Sequence, residues 1–412
     1  MSIDPEPTRL TRALGTSDAV VLGLGSMIGA GVFAALGPAA QVAGAGLVWG
    51  LALAGGLAYC NATSSAQLAA LYPKSGGTYV YGRERLGPLW GYLAGWGFVV
   101  GKLASCAAMA LTFGTYVAPG AARPLAVTAV VGLVTVNLLG VRKTAGVTKA
   151  LVAVVLAALA AVVTAALLVT ATPPALDLLD TTPHGMLQAA GIMFFAFAGY
   201  ARIATLGEEV ADPARTIPRA IPLALAITLG VYGLVAVSAL RAVGPDGLAG
   251  ASAPLVAAVQ AGRLAAVAPL VRVGAAVASS GVLLSLLAGV SRTVFAMAAN
   301  GDLPRPFARV HPRSKVPFWA EIAVGILVAV AAAVMDLREA IGFSSVTVLV
   351  YYAIANASAV TLAAHERRWP RWLAWTGMLG CLVLAVNLPV TSVVPGAAVL
   401  VAGVVAYTLK RS

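Results

Sequence analysis

Three glycines interrupt the first long apolar run of the chain, in the stretch Gly25-Ser26-Met27-Ile28-Gly29-Ala30-Gly31-Val32-Phe33. Glycine disfavours helix and lets the backbone open. Inside a bilayer an opened helix exposes N–H and C=O groups that lipid cannot satisfy, so a break occurs only where protein covers it or a cavity adjoins it. The freed groups could bind a substrate that carries a carboxylate and an ammonium group. Alternatively, the small residues allow two helices to pack closely.

Two basic residues, Lys102 and Arg202, lie inside apolar runs. An ionisable group in the hydrocarbon costs about 2.5–3.5 kcal/mol on insertion scales, and it usually faces a cavity or a partner. Lys102 is far from both ends of its run, which favours a position facing a cavity. For Arg202 the alternative is snorkelling or an ion pair with Glu208 or Glu209.

The other reactive residue types form no recognisable centre. His184, His311 and His365 are scattered, and the three cysteines lie in apolar runs without metal-ligand spacing. No glycine-rich stretch continues into the Lys-Ser/Thr pair of a phosphate-binding loop. The sequence therefore predicts no catalytic residues, no metal and no cofactor, and a protein that is not an enzyme.

The elements that must position these residues are membrane-spanning helices. The chain has 412 residues, of which 60% are hydrophobic and 10% charged, and its mean hydropathy is +0.92. No soluble domain of this size has such a composition, and apolar runs of about 20 residues recur throughout. The net charge of +12 does not indicate nucleic acid, because the basic residues fall in short loops between apolar runs.

The apolar runs predict twelve spans. Of the 27 Lys and Arg residues, 20 fall in segments that this count places in the cytoplasm and 5 in outer segments. This asymmetry predicts cytoplasmic N- and C-termini. Asp18 and Glu321 begin spans one and nine and are expected at the membrane interface. The predicted spans cover residues 18–40, 44–70, 86–118, 124–140, 145–170, 185–208, 217–241, 264–298, 317–335, 339–364, 370–389 and 393–409.

Spans one and six both contain glycines near their centres, which is the pattern of an inverted-repeat transporter. Three distant stretches resemble amino acid permeases of the amino acid–polyamine–organocation (APC) superfamily. The residues that carry this resemblance are Gly25 to Phe33, Phe194 to Pro213 with Thr216 to Ile221, and Ser291 to Pro304 with Pro317; Pro73 to Tyr79 also fits.

The resemblance implies an all-α membrane protein with the leucine-transporter-like fold, a 5+5 inverted repeat followed by two C-terminal helices. Its expected divisions are a cytoplasmic N-terminal tail at 1–17, a first five-helix repeat at 18–170, a second at 185–364 and two accessory helices at 370–409. It also implies alternating access around a central site.

Substrate contacts are implied at both interrupted spans. The first span would present backbone N–H groups to an α-carboxylate, and carbonyls of the sixth span would receive the α-ammonium. Phe195 matches the position of an aromatic lid, with packed core as the alternative. The substrate-binding residues predicted in this way are Met27, Ile28, Gly29, Ala30, Gly31, Phe195, Ala196, Phe197, Ala198 and Gly199.

The coupling residues depart from the pattern of the superfamily. Several proton-coupled relatives carry a lysine in span five, but this span has no charge here, and the resemblance places Val155 at that position. Lys102 or Arg202 could replace the missing charge or bind an acidic substrate side chain. Ser279 and Ser280 match hydroxyls that bind sodium in sodium-coupled relatives, with helix packing as the alternative.

These observations predict a secondary active transporter that moves an amino acid or a close amine derivative across the plasma membrane. A proton is the expected coupling ion, ahead of sodium. One alternative is an amino acid or amine exchanger without proton coupling. An alternative from another class is a membrane sensor or partner subunit that transports nothing.

Overall fold

The computed structural model describes residues 15–72, 76–140, 145–168, 176–200, 210, 212–262, 264–312, 314 and 316–411. These residues form helices and no β-strand. The helices are α1 Thr16–Met27, α2 Ala30–Ala43, α3 Leu47–Leu71, α4 Thr78–Arg85, α5 Pro88–Val117, α6 Ala122–Leu138, α7 Ala145–Leu167, α8 Pro183–Phe197, α9 Pro213–Gly250, α10 Pro254–Gln260, α11 Ala268–Ala299, α12 Phe318–Val334, α13 Leu337–Val360, α14 Arg371–Asn387 and α15 Val390–Arg411.

Eight of the described helical stretches are long and apolar enough to cross a membrane. Helix α12, at 17 residues, is apolar but shorter. The protein is therefore a multi-pass membrane protein, while the count of twelve spans and the 5+5 repeat stay predictions.

Helix α5 lies at the centre of the bundle and packs most extensively against α13 and α11. Both α5 and α13 are buried along most of their length, whereas few residues of α6 and α15 are buried. An exposed apolar helix is stable where lipid surrounds it. The site residues on α5 are thus held by protein on several sides.

Several predicted spans have different bounds. The third span, expected over 86–118, begins at Pro88, because Gly87 takes a left-handed φ of 107° and separates it from the short helix α4. The seventh span, expected over 217–241, is part of the longer helix α9, which is broken at Gly244, where φ is 71°.

Glu321, which is expected at the membrane interface, is enclosed by protein, and its depth in the membrane stays a prediction. Its side chain is only 2% exposed. Asn137 Nδ2 donates to Glu321 Oε1 over 2.7 Å, and the Ser291 hydroxyl donates to the other carboxylate oxygen. The carboxylate therefore connects α6, α11 and α12, because a buried acceptor requires donors. Asp18, in contrast, is partly exposed and pairs with Lys149 at 2.9 Å.

The short helix α4 is fixed to the end of the bundle by polar contacts. The Tyr79 hydroxyl donates to Asp302 Oδ2 over 2.6 Å, and Arg83 pairs with the same oxygen at 3.2 Å. Arg85 pairs with Glu366 at 2.5 Å. This side of the bundle is the cytoplasmic side in the predicted orientation.

Candidate substrate-binding site

A small cavity of about 50 Å³ lies where the two interrupted helices meet. Helices α5 and α11 complete its wall. The described residues that line it are Ser26, Met27, Gly29, Ala30, Gly31, Lys102, Ser105, Met109, Phe195, Ala196, Ala198, Gly199, Val282 and Leu286.

The first interruption lies between α1 and α2. Helix α1 ends at Met27, Ile28 has ψ 66°, and Gly29 adopts an extended conformation with φ −120° and ψ −150°. The first N–H groups of a helix have no intrahelical acceptor and carry partial positive charge. Gly29, the N-cap of α2, offers no side chain to these groups. The start of α2 therefore presents the cavity with N–H donors suited to an anion.

The second interruption ends α8 at Phe197, and a short 3₁₀ turn follows over Ala198–Tyr200. Phe195 lines the cavity and is 9% exposed. The last carbonyls of a helix carry partial negative charge. The cavity thus has a positive helix end on one wall and a negative one on another. The lid role of Phe195 stays a prediction.

Glycine is required where the two interruptions touch. A Cβ on Gly31 would lie 2.6 Å from Ala196 Cα, a distance that real Cβ atoms do not show. A Cβ on Gly199 would overlap the Ser26 carbonyl oxygen. The sequence left two interpretations of these glycines, that they open the helix or that they let two helices pack closely. In the structure both apply.

Two tyrosines outside the predicted site bind the interruptions. The Tyr232 hydroxyl on α9 lies within hydrogen-bond distance of the carbonyls of Met27 and Ala196, the latter at 3.2 Å. The Tyr352 hydroxyl on α13 donates to the Ala198 carbonyl over 3.4 Å. Both tyrosines are ordinary aromatic residues of apolar runs, so no local sequence pattern distinguishes them.

Two of the predicted substrate contacts do not line the cavity. Ile28 is 2% exposed, and Phe197 is fully buried with its ring 5.3 Å from that of Tyr232. Their side chains pack away from the cavity, although the neighbouring residues line it. The other eight predicted substrate residues line the cavity.

Lys102 lines the cavity from the middle of α5 and is 6% exposed. Among the described residues no side chain forms an ion pair with it. Ser105 and Met109, three and seven positions further along α5, line the same cavity. This helical spacing from Lys102 was a signal that could have identified both. Arg202 lies outside the described residues.

Ser279 and Ser280 are not among the lining residues. The Ser279 hydroxyl donates to the Ala275 carbonyl in its own helix over 2.6 Å. Val155 is buried in α7, also away from the cavity lining. A coupling role for the serines stays a prediction. Val282 and Leu286, further along the same helix as the serines, do line the cavity and were not predicted.

The fold and the site together define a multi-pass helical membrane protein with a cavity between two helix interruptions. Residues 14–409 match the family model described as amino acid permease. The chain belongs to this family, within the APC superfamily.

Three relatives show the breadth of the family. An uncharacterised transporter of Mycobacterium tuberculosis (strain ATCC 25618 / H37Rv) is 62% identical, over 99% of this chain and 94% of that protein. A branched-chain amino acid permease of Bacillus subtilis (strain 168) is 26% identical, over 97% and 93%. Cationic amino acid transporter 4 of Homo sapiens is 31% identical, over 88% of this chain and 61% of that protein.

Proposed function

We propose that this protein is a secondary active transporter that moves an amino acid or a close amine derivative across the plasma membrane by alternating access. The observation that carries the proposal is the meeting of two oppositely polarised helix ends at one cavity. An amino acid carries a carboxylate and an ammonium group a few ångströms apart, which complements this pair of ends.

The carboxylate binds at the first turn of α2, where Ala30 and Gly31 line the cavity. The ammonium group binds carbonyls at the end of α8. Two of these, on Ala196 and Ala198, already accept tyrosine hydroxyls. Each carbonyl oxygen has two lone pairs, so a second donor can be accommodated.

We further propose that transport is coupled to protons. Lys102 supports this part, since it is a titratable side chain that lines the cavity without a partner among the described residues. The uncharged position at Val155 favours the alternative, an exchanger without proton coupling. Sodium has less support, because the Ser279 hydroxyl is engaged within its own helix.

Uptake of labelled amino acids into proteoliposomes tests the proposal. An inward proton gradient should drive uptake, and a protonophore should abolish that increase. Uptake that needs internal amino acid and ignores the gradient would support the exchanger. Binding to the purified protein without any flux would support a sensor or partner subunit. Absence of both binding and flux for the proteinogenic amino acids and polyamines would overturn the proposal.

A further inference from the structure

Lys102 is a buried ammonium group that faces the cavity, and no anionic side chain among the described residues balances its charge. Its side chain is 6% exposed and lines the cavity, and no ion pair joins it to any of the described residues. A buried charge without a partner is unfavourable. An anion inside the cavity would remove that penalty and gain a charge-assisted hydrogen bond.

The described cavity wall offers no carboxylate to a positively charged side chain. No aspartate or glutamate is among the described residues that line it. Among the described lining residues, the one charged neighbour of a cationic substrate side chain would be Lys102, and like charges in a region of low dielectric repel strongly. The charge on the described part of the wall therefore favours an anionic over a cationic side chain.

The α-carboxylate and the α-ammonium group of an amino acid already have complementary helix ends. Lys102 is then free to bind a third group of the substrate, its side chain. We propose that Lys102 makes the site selective for amino acids with an acidic side chain and excludes those with a cationic side chain. This inference rests on the proposed function, since it assigns the substrate class of the same site.

The size of the cavity narrows the class further. A volume of about 50 Å³ holds only a few water-sized groups. Val282, which lies against Gly29, and Met109 both line the cavity, so a long side chain would require them to move. A short acidic side chain, such as that of aspartate, requires less displacement of these two side chains than a long one. The substrate charge expected here is the opposite of the one that the human relative, cationic amino acid transporter 4, has in its name.

The test is a competition-binding panel of aspartate, glutamate, leucine and arginine on four proteins: the wild type, Lys102→Met, Lys102→Arg and Lys149→Met. Lys149 is the matched control, because its ion pair with Asp18 is exposed and outside the cavity. Wild type and Lys149→Met should prefer aspartate at least tenfold over arginine. Lys102→Met should lose most of that preference, and Lys102→Arg should keep it.

Size-exclusion profiles establish that each variant is folded. The order of affinities of the wild type for the four amino acids tests the inference even if Lys102→Met does not fold. Equal or tighter binding of arginine by the wild type would overturn the inference. An aspartate preference that persists in folded Lys102→Met would also overturn it, while leaving the proposed function intact. Absence of amino acid binding by the wild type would overturn the proposed function itself.

Discussion

The hydroxyl group of Tyr232 stabilises both helix interruptions at once. It lies between the carbonyls of Met27 and Ala196. Met27 is the last residue of α1, and Ala196 belongs to the last turn of α8. A phenol has one proton, so it donates to one carbonyl at a time or shares the proton between them. Both carbonyls are deep in the bundle, where lipid and bulk water offer no replacement donor.

Replacement of Tyr232 by phenylalanine should lower the free energy of unfolding by about 1–3 kcal/mol, because buried carbonyls lose their donor. Thermal unfolding in detergent measures the change. Tyr59→Phe is the matched control, because Tyr59 is exposed on α3. Equal unfolding temperatures for Tyr232→Phe and the wild type would show that this hydroxyl contributes nothing to the folded state.

Gly31 tolerates no Cβ because the Ala196 main chain lies against it. Gly31→Ala should therefore separate the two interruptions and abolish amino acid binding, measured by equilibrium binding to the monodisperse protein. Gly56→Ala is the control, since a Cβ at Gly56 meets nothing within 4 Å. An alanine in that exposed helical position should be neutral or stabilise by about 0.5–1 kcal/mol. Unchanged binding by Gly31→Ala would contradict the packing of the site.

At the scale of elements, α4 depends on ion pairs with distant loops. The Arg85 guanidinium donates to Glu366, and the Ala363 N–H donates to its other oxygen. These contacts hold the pKa of the Glu366 carboxyl below its ordinary value of 4.5. A depressed folded-state pKa means that the carboxylate stabilises the fold above the ordinary value and loses this effect as the pH falls.

Glu366→Gln should accordingly be slightly less stable than the wild type at about pH 7, and the difference should shrink as the pH falls below the ordinary carboxyl pKa of 4.5 and through the lowered pKa of the folded state. The effect is small because partly exposed ion pairs contribute little. Thermal-shift curves across this range measure it. Glu84 is exposed on α4. The stability difference between Glu84→Gln and the wild type should therefore not change with pH over this range. A difference between Glu366→Gln and wild type that grows with acidity would contradict the assignment.

The interruption of the first span was predictable, because three close glycines are an unusual local signal. The burial of Glu321 was not, since it depends on Asn137 and Ser291 from two other helices. The same holds for Tyr232, whose hydroxyl acts on residues 205 and 36 positions away. Local pattern identifies where a helix opens, whereas the donors that stabilise the opening come from tertiary packing.

At the scale of the whole molecule, the distribution of basic residues predicts cytoplasmic termini. A green fluorescent protein fused after Ser412 should fluoresce in bacterial cells, because it folds in the cytoplasm. An alkaline phosphatase fusion at the same point should be inactive. The reverse pair of results would contradict the predicted orientation and, with it, the even number of spans.

The central claim is that the cavity between the two helix interruptions is the amino acid site. A cysteine placed at Ser26, which lines this cavity, gives the most direct measurement. The chain's own cysteines, Cys60, Cys106 and Cys381, are all buried, so labelling by a water-soluble thiol reagent reports on Ser26→Cys. Thr408→Cys, on the exposed end of α15, is the matched control.

A mixture of the twenty proteinogenic amino acids should slow the labelling of Ser26→Cys several-fold and leave that of Thr408→Cys unchanged. Equal labelling rates of Ser26→Cys with and without the mixture would contradict the claim that amino acids bind in this cavity.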